Sequence, residues 1–208
     1  MKFQLIAAVV LAAASLSAHA AQINTSLEGS ANSVTETFAA YDGLINIAGT
    51  IDLGNGISFA AATDAELSPS ARDLGSNGLW TFGLNGFAAA GSNGVMLFSF
   101  NSLKNGVSAY VSHEGAGSLL VEALGIGDAV LESTTFSFAA PNGIDGYDEG
   151  TYIGFMRGSA DIQAVRLTGV GAVADNLTAT AVPEPSTYAM MGLGLAALAG
   201  MARRRAAR

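Results

Sequence analysis

Cysteine is absent from all 208 residues, so no disulfide can staple this fold in an oxidising compartment. Histidine is scarce too: His19 lies in an apolar N-terminal stretch and His113 stands alone in the remainder. Zinc and copper sites therefore lack their usual ligands. A Ser-His-Asp centre could use no imidazole but His113, which the sequence otherwise places as an exposed side chain at a strand end. Basic residues are few, nine against seventeen acids. Between residues 21 and 181 the balance is Arg72, Lys104, Arg157 and Arg166 against sixteen acids, or 4 − 16 = −12. Nothing there could neutralise a run of phosphates, which excludes nucleic acid as a partner.

Long apolar runs are confined to the two ends. Met1 to Ala20 has Lys2, an apolar run from Leu5 to Leu16, then Ala18-His19-Ala20 before Ala21. This order of positive, apolar and small residues is that of a secretory signal peptide, cleaved after Ala20. Val182 to Arg208 reads Val-Pro-Glu-Pro-Ser-Thr-Tyr, an uncharged run from Ala189 to Ala202, then Arg203-Arg204-Arg205. Pro183 and Pro185 lack backbone donors and stop the preceding domain. The uncharged run can close its own hydrogen bonds as a short transmembrane helix. The stretch from Ser186 to Ala202 is 17 residues, about 25 Å of helix against a hydrocarbon core of about 30 Å. The arginines would snorkel and mark its cytoplasmic side.

Pro183-Glu184-Pro185, a short apolar helix and an Arg203–Arg205 cluster together resemble the PEP-CTERM sorting signal of Gram-negative bacteria. The resemblance implies that the chain is a substrate of exosortase, a transpeptidase-like membrane enzyme associated with exopolysaccharide and biofilm loci. It further implies transient anchoring in the inner membrane, then sorting to the cell surface with the tail removed or exchanged. The expected domains are a signal peptide over 1–20, an outer domain over 21–181 and the sorting signal over 182–208.

The outer domain is long enough for one core. Asn-Gly pairs at 55, 77, 85, 93, 105 and 142 punctuate it, and such pairs favour the positive φ of two-residue hairpin turns. Between them lie short β-rich runs: 44–51, 57–63, 79–84, 95–100, 107–113, 119–124, 130–138, 152–156, 161–168 and 177–181. No outer stretch has a helical period, so the pattern predicts an all-β antiparallel sandwich. Val95–Phe100 is apolar on both faces and should be a central strand. Phe136 and Phe138 against Ser133, Thr135 and Ser137 predict one buried face and one wet face. The segments around Ile153-Gly154-Phe155, Ile162–Leu167 and Asp175–Thr178 resemble the closing strands of jelly-roll outer domains found among PEP-CTERM proteins. The expected form is therefore jelly-roll-like.

Few constellations carry chemistry. Gly169-Val170-Gly171-Ala172-Val173-Ala174 fits GxGxxA, but a dinucleotide needs a helix N-terminus directly after it, and a strand-like run follows instead. Asp145, Asp148 and Glu149 crowd a loop bent by Gly143 and Gly146. This is either a solvated acidic turn or a calcium site, since hard cations take six to eight oxygens. Asp175-Asn176 is a further candidate ligand pair, or an Asx turn. Tyr147 and Tyr152 border the acidic loop as candidate sugar-stacking residues, whereas Trp80, between Leu79 and Phe82, reads as core. The sequence thus predicts an exported surface or matrix protein, structural or glycan-binding, with exopolysaccharide as a candidate partner and no enzymatic role. No cofactor is expected apart from candidate calcium. The alternative is a secreted hydrolase of polysaccharide using a carboxylate pair.

Overall fold

The computed structural model describes residues 21–41, 50–62, 64–68, 87–113, 115–139, 150–181 and 192–195. Their strands are β1 (Ala21–Ile23), β2 (Ser33–Glu36), β3 (Thr50–Gly54), β4 (Ile57–Ala61), β5 (Glu66–Ser68), β6 (Phe87–Ala89), β7 (Val95–Lys104), β8 (Gly106–His113), β9 (Gly117–Leu124), β10 (Val130–Phe138), β11 (Thr151–Met156), β12 (Ile162–Thr168) and β13 (Ala172–Thr180). They form two antiparallel sheets facing each other as a sandwich. One runs β1-β11-β8-β13-β6-β5, with β2 also on β13; the other runs β10-β9-β12-β7-β4-β3.

The core follows from alternation. Along β7, Met96, Phe98 and Phe100 are buried while Val95, Leu97 and Ser99 are half-buried, and β7 lies between β12 and β4 as a central strand should. Phe98 stacks at a tilt on Phe59 at 5.0 Å and on Phe38 at 5.9 Å, between ring centroids. Facing it from the other sheet are Val107, Ala109, Val111, Ile153, Phe155 and Leu177. On β10 the expected split is present: Phe138 is buried and Ser133, Thr135 and Ser137 are exposed. An interior void of about 10 Å³ between Ala109, Val121, Ile153, Val165 and Leu177 is too small to hold a ligand.

Three expectations change. Asn55-Gly56 does close the β3–β4 hairpin, with φ of 52° and 75°. Asn93-Gly94 and Asn105-Gly106 do not close hairpins; each lies where the chain crosses from one sheet to the other. The pairs at 77, 85 and 142 fall outside the described residues. His113 is buried, not exposed: it shares the parity of Val107, Ala109 and Val111, so it points inward and stacks on Phe138 at 5.8 Å. The last strand starts at Ala172, well before Leu177, because Gly171, at φ 83°, turns the chain straight into it. The GxGxxA segment is thus a turn into a strand, as expected, with no helix to meet a pyrophosphate.

The segment between β1 and β2 crosses the outer face of the seven-stranded sheet. Leu27 N–H donates to Ser108 Oγ at 3.0 Å in mid-crossing, and β2 then pairs with the far end of β13. The segment covers β8 at Ser108 and β13 at Asn176, and every residue of β13, and all of β8 but Tyr110, is buried. Residues 1–20 lie outside the described residues. So does most of 182–208, where 192–195 are helical; no described helix is long and apolar enough to cross a membrane.

Candidate functional site

Where the crossing segment leaves off, three strands present a polar row on the outer face. Tyr152 of β11 lies opposite Tyr110 of β8, and Tyr110 lies opposite Asp175 of β13. The tyrosine rings meet edge to face, centroids 5.2 Å apart at 65°. Both are half-buried, whereas Asp175 is fully buried. A β-bulge between Asp175 and Thr178 shapes the floor. Asn176 takes a left-handed φ of 46°, and its N–H donates to Asp175 Oδ1 at 2.6 Å. Its Nδ2 donates to Glu28 Oε2 at 3.4 Å, which ties the bulge to the crossing segment. Asp175 and Asn176 thus form the bulge within β13, the Asp175 carboxylate accepting from the N–H of the next residue rather than two residues on, as an Asx turn would require.

Gly150 closes the other side. A Cβ there would lie 2.4 Å from Tyr110 Cε1, so the chain entering β11 passes flush against the ring. The segment carrying Asp145, Tyr147, Asp148 and Glu149 runs into this point from β10. Those four residues lie outside the described ones, and only Tyr152 of the sequence-expected sugar contacts is placed. Trp80 also lies outside. Among the described residues no group of three acidic, histidine or cysteine side chains could hold a metal. Tyr110 and Glu28 were not singled out from sequence. The sequence signal for Tyr110 is alternation, Ser108, Tyr110 and Ser112 against Val107, Ala109 and Val111; Glu28 arrives through a crossing that no local pattern announces.

Other charges are structural. Arg157, in the turn between β11 and β12, grips Asp161 with both Nε and Nη2, at 2.7 and 2.9 Å, and pairs with Glu132 of β10 through Nη1. The guanidinium's hydrogen bonds hold the Asp161 carboxyl below its ordinary value against the opposing effect of burial. Arg166 and Glu122 pair at 2.7 Å across β12 and β9. Burial pushes the Glu36 carboxyl up, while the Phe38 and Thr37 N–H groups oppose it. That carboxylate accepts from Phe38 N–H at 2.7 Å and holds Phe38 at a φ of 56°, its ring in the core.

β13 ends at Thr180, and the chain beyond it carries Pro183-Glu184-Pro185, the uncharged run and Arg203–Arg205. Residues 181–205 match the PEP-CTERM protein-sorting motif. This is a PEP-CTERM sorting tail. The motif implies export and processing by exosortase at the cell envelope. None of the curated proteins matches the chain. Among solved structures it is similar to CsCBM6-3 of Clostridium stercorarium, in complex with cellobiose, at 16% identity and a TM-score of 0.30, covering 47% of this chain and 75% of that one. It is also similar to the isomalto-dextranase of Arthrobacter globiformis T6 complexed with panose, at 17% identity and a TM-score of 0.23, covering 69% of this chain and 23% of that one. A third is the enzymatically active domain of tailspike protein 4 of bacteriophage CBA120, at 8% identity and a TM-score of 0.19, covering 76% of this chain and 19% of that one. These likenesses assign neither ligand nor activity.

Proposed function

We propose that this chain is an exported cell-surface or matrix protein whose jelly-roll-like sandwich acts by binding, as a structural or glycan-binding element, without catalysis. The observation that carries the reading is the PEP-CTERM tail, which begins one residue beyond the last strand. In this reading the Met1–Ala20 signal peptide starts export, the run Ala189–Ala202 holds the protein in the inner membrane, and an exosortase-type enzyme then processes the tail. Pro183-Glu184-Pro185 is what that enzyme reads, and Arg203–Arg205 stay on the cytoplasmic side.

The outer domain would meet its ligand at the Tyr110–Tyr152 face. Two half-buried tyrosines beside polar groups give apolar ring area with hydroxyls at the rim, which suits the faces and edges of a sugar ring. Tyr147 would add a second sugar contact, and Asp145, Asp148 and Glu149 would bind calcium. A hydrolase would need two carboxyl groups facing across about 5–9.5 Å. Three of the four carboxylates buried among the described residues are engaged by named groups: Glu122 by Arg166, Glu36 by Phe38 N–H, and Asp175 by Asn176 N–H. The test is retention of the exported protein, freed of its tail, on a panel of bacterial polysaccharides with and without calcium. Retention that Tyr152→Ala weakens supports the reading. Depolymerisation of any polysaccharide on the panel would contradict it.

A further inference from the structure

β1 begins and β13 ends at one end of the sandwich. Ala21 pairs with Met156, Met156 with Gly106, Gly106 with Thr180, and Thr180 with Ser33, so one row across the sheet holds both junctions of the outer domain. The same pole carries the Arg157–Asp161 turn, Asn105, and the turn from Gly125 to Ala129. Arg157 N–H donates to Asn105 O, and Asn105 N–H to Thr180 O.

The pole is also where apolar side chains are left in the open. Leu103, beside Lys104 where β7 meets the start of β12, is 37% exposed. Ile126 is 75% and Val130 is 52% exposed, on the turn and strand end just past Leu124. Of the exposed large apolar residues in the described part of the sandwich, only Val170 lies at the opposite pole. Its neighbours there are Gly94 and the turn from Gly169 to Gly171.

The tail sets how far this pole can be from lipid. Ala181 to Tyr188 is eight residues, which span at most about 29 Å fully extended. The sandwich is itself about 30 Å from pole to pole, at about 3.3 Å per residue over a nine-residue strand. A chain tethered so briefly keeps the Ile126 pole toward the membrane, and the Val170 pole cannot reach it without the whole domain lying over.

We propose that, while the tail is inserted, this pole rests on the bilayer surface, with Ile126, Val130 and Leu103 in the interfacial layer. The proposal rests on the reading that Ala189–Ala202 is a membrane segment. The partner is neutral, zwitterionic lipid: the outer domain carries twelve more acids than bases, and Asp128 sits between Ile126 and Val130. Anionic lipid would repel it. This seating holds the Tyr110–Tyr152 row on the flank of the domain, clear of the lipid.

The absence of cysteine makes the test direct. Single cysteines at Ile126→Cys and Val170→Cys in the full chain are labelled with an environment-sensitive fluorophore and reconstituted into phosphatidylcholine vesicles. Both sites are exposed, so neither substitution threatens the fold. The expected result is blue-shifted emission at position 126, quenched by a lipid-borne quencher, with water-like emission at 170. Adding phosphatidylglycerol should weaken the shift. A protein that floats with the vesicles while both probes report water overturns the proposal alone. One that fails to float overturns the tail reading and the proposal together. A shift at 126 seen only in native membranes, never in pure lipid, assigns the pole to a membrane protein and overturns the lipid partner.

Discussion

Tyr110 and Tyr152 face each other across β8 and β11, with ring centroids 5.2 Å apart and the rings near edge to face. The contact fixes both rings, and Gly150 leaves room for nothing larger against Tyr110. A preset aromatic pair on a sheet face loses little side-chain freedom when it meets a ligand.

Tyr152→Ala should therefore weaken polysaccharide binding about tenfold, about 1.4 kcal/mol, in the range of an aromatic contact. Tyr152→Phe should keep most of the affinity. Gly150→Val, which drives a side chain into the Tyr110 ring, should lower it as much as Tyr152→Ala does. Affinity electrophoresis in polysaccharide-containing gels reads all three. Equal retention of every variant would remove this face from the account.

Arg157→Ala should destabilise the sandwich by about 1–3 kcal/mol, because Glu132 and Asp161 lose their donor while partly buried. For a domain of this size that lowers the Tm by about 2–12 °C. The pH dependence follows from the depressed Asp161 carboxyl: its stabilisation is present above the unfolded value of about 3.8 and lost as pH falls through the folded one. Wild type should lose more stability than Arg157→Ala on acidification below about pH 4. Parallel acid titrations of the two proteins, followed by thermal melts, check this.

Glu36 has the opposite sign. Its carboxyl is raised by burial, so its contribution is present below the unfolded value of 4.5 and declines as pH rises through the folded value. Glu36→Gln keeps an acceptor for Phe38 N–H and removes the buried charge. It should melt at or above the wild-type temperature at pH 7 and lose that advantage at pH 4. A variant that melts well below wild type at pH 7 would show that the charge itself holds Phe38 in its left-handed turn.

What sequence could show tracks how local the cause is. β10 and the centre of β7 follow from alternation within one strand, and both stand as expected. The β3–β4 hairpin follows from Asn55-Gly56 alone. Asn105-Gly106 has the same two residues, but the strands it joins pair with β12 and with β11 and β13 in different sheets, a choice made by partners distant in sequence. β1, β2, β5 and β6 are three or four residues each, too short to show a period. The burial of His113 could have been read from its parity with Val111, had its position at a strand end not suggested solvent. The site shows the same division. Tyr152 was legible beside an acidic loop, while Tyr110 and Glu28 join it only through strand pairing and a crossing segment.

The acidic loop offers a metal test. If Asp145, Asp148 and Glu149 bind calcium, saturation at about 100 times the Kd should add about 2.7 kcal/mol, a Tm rise of about 5–10 °C. Magnesium at equal ionic strength should give less, and Asp145→Ala should erase the calcium response. Equal shifts with both ions would mark ordinary screening of a solvated turn.

The most direct measurement is the fate of the chain with Pro183-Glu184-Pro185 deleted, in a cell that carries an exosortase-type enzyme. The signal peptide and the run Ala189–Ala202 remain, so export should proceed and stop in the inner membrane. Fractionation with an antibody to the outer domain should find wild type at the cell surface, shortened by removal of its tail. The deletion variant should be full length apart from its signal peptide, and held in the inner membrane. Surface delivery of the deletion variant in the same shortened form would contradict the account.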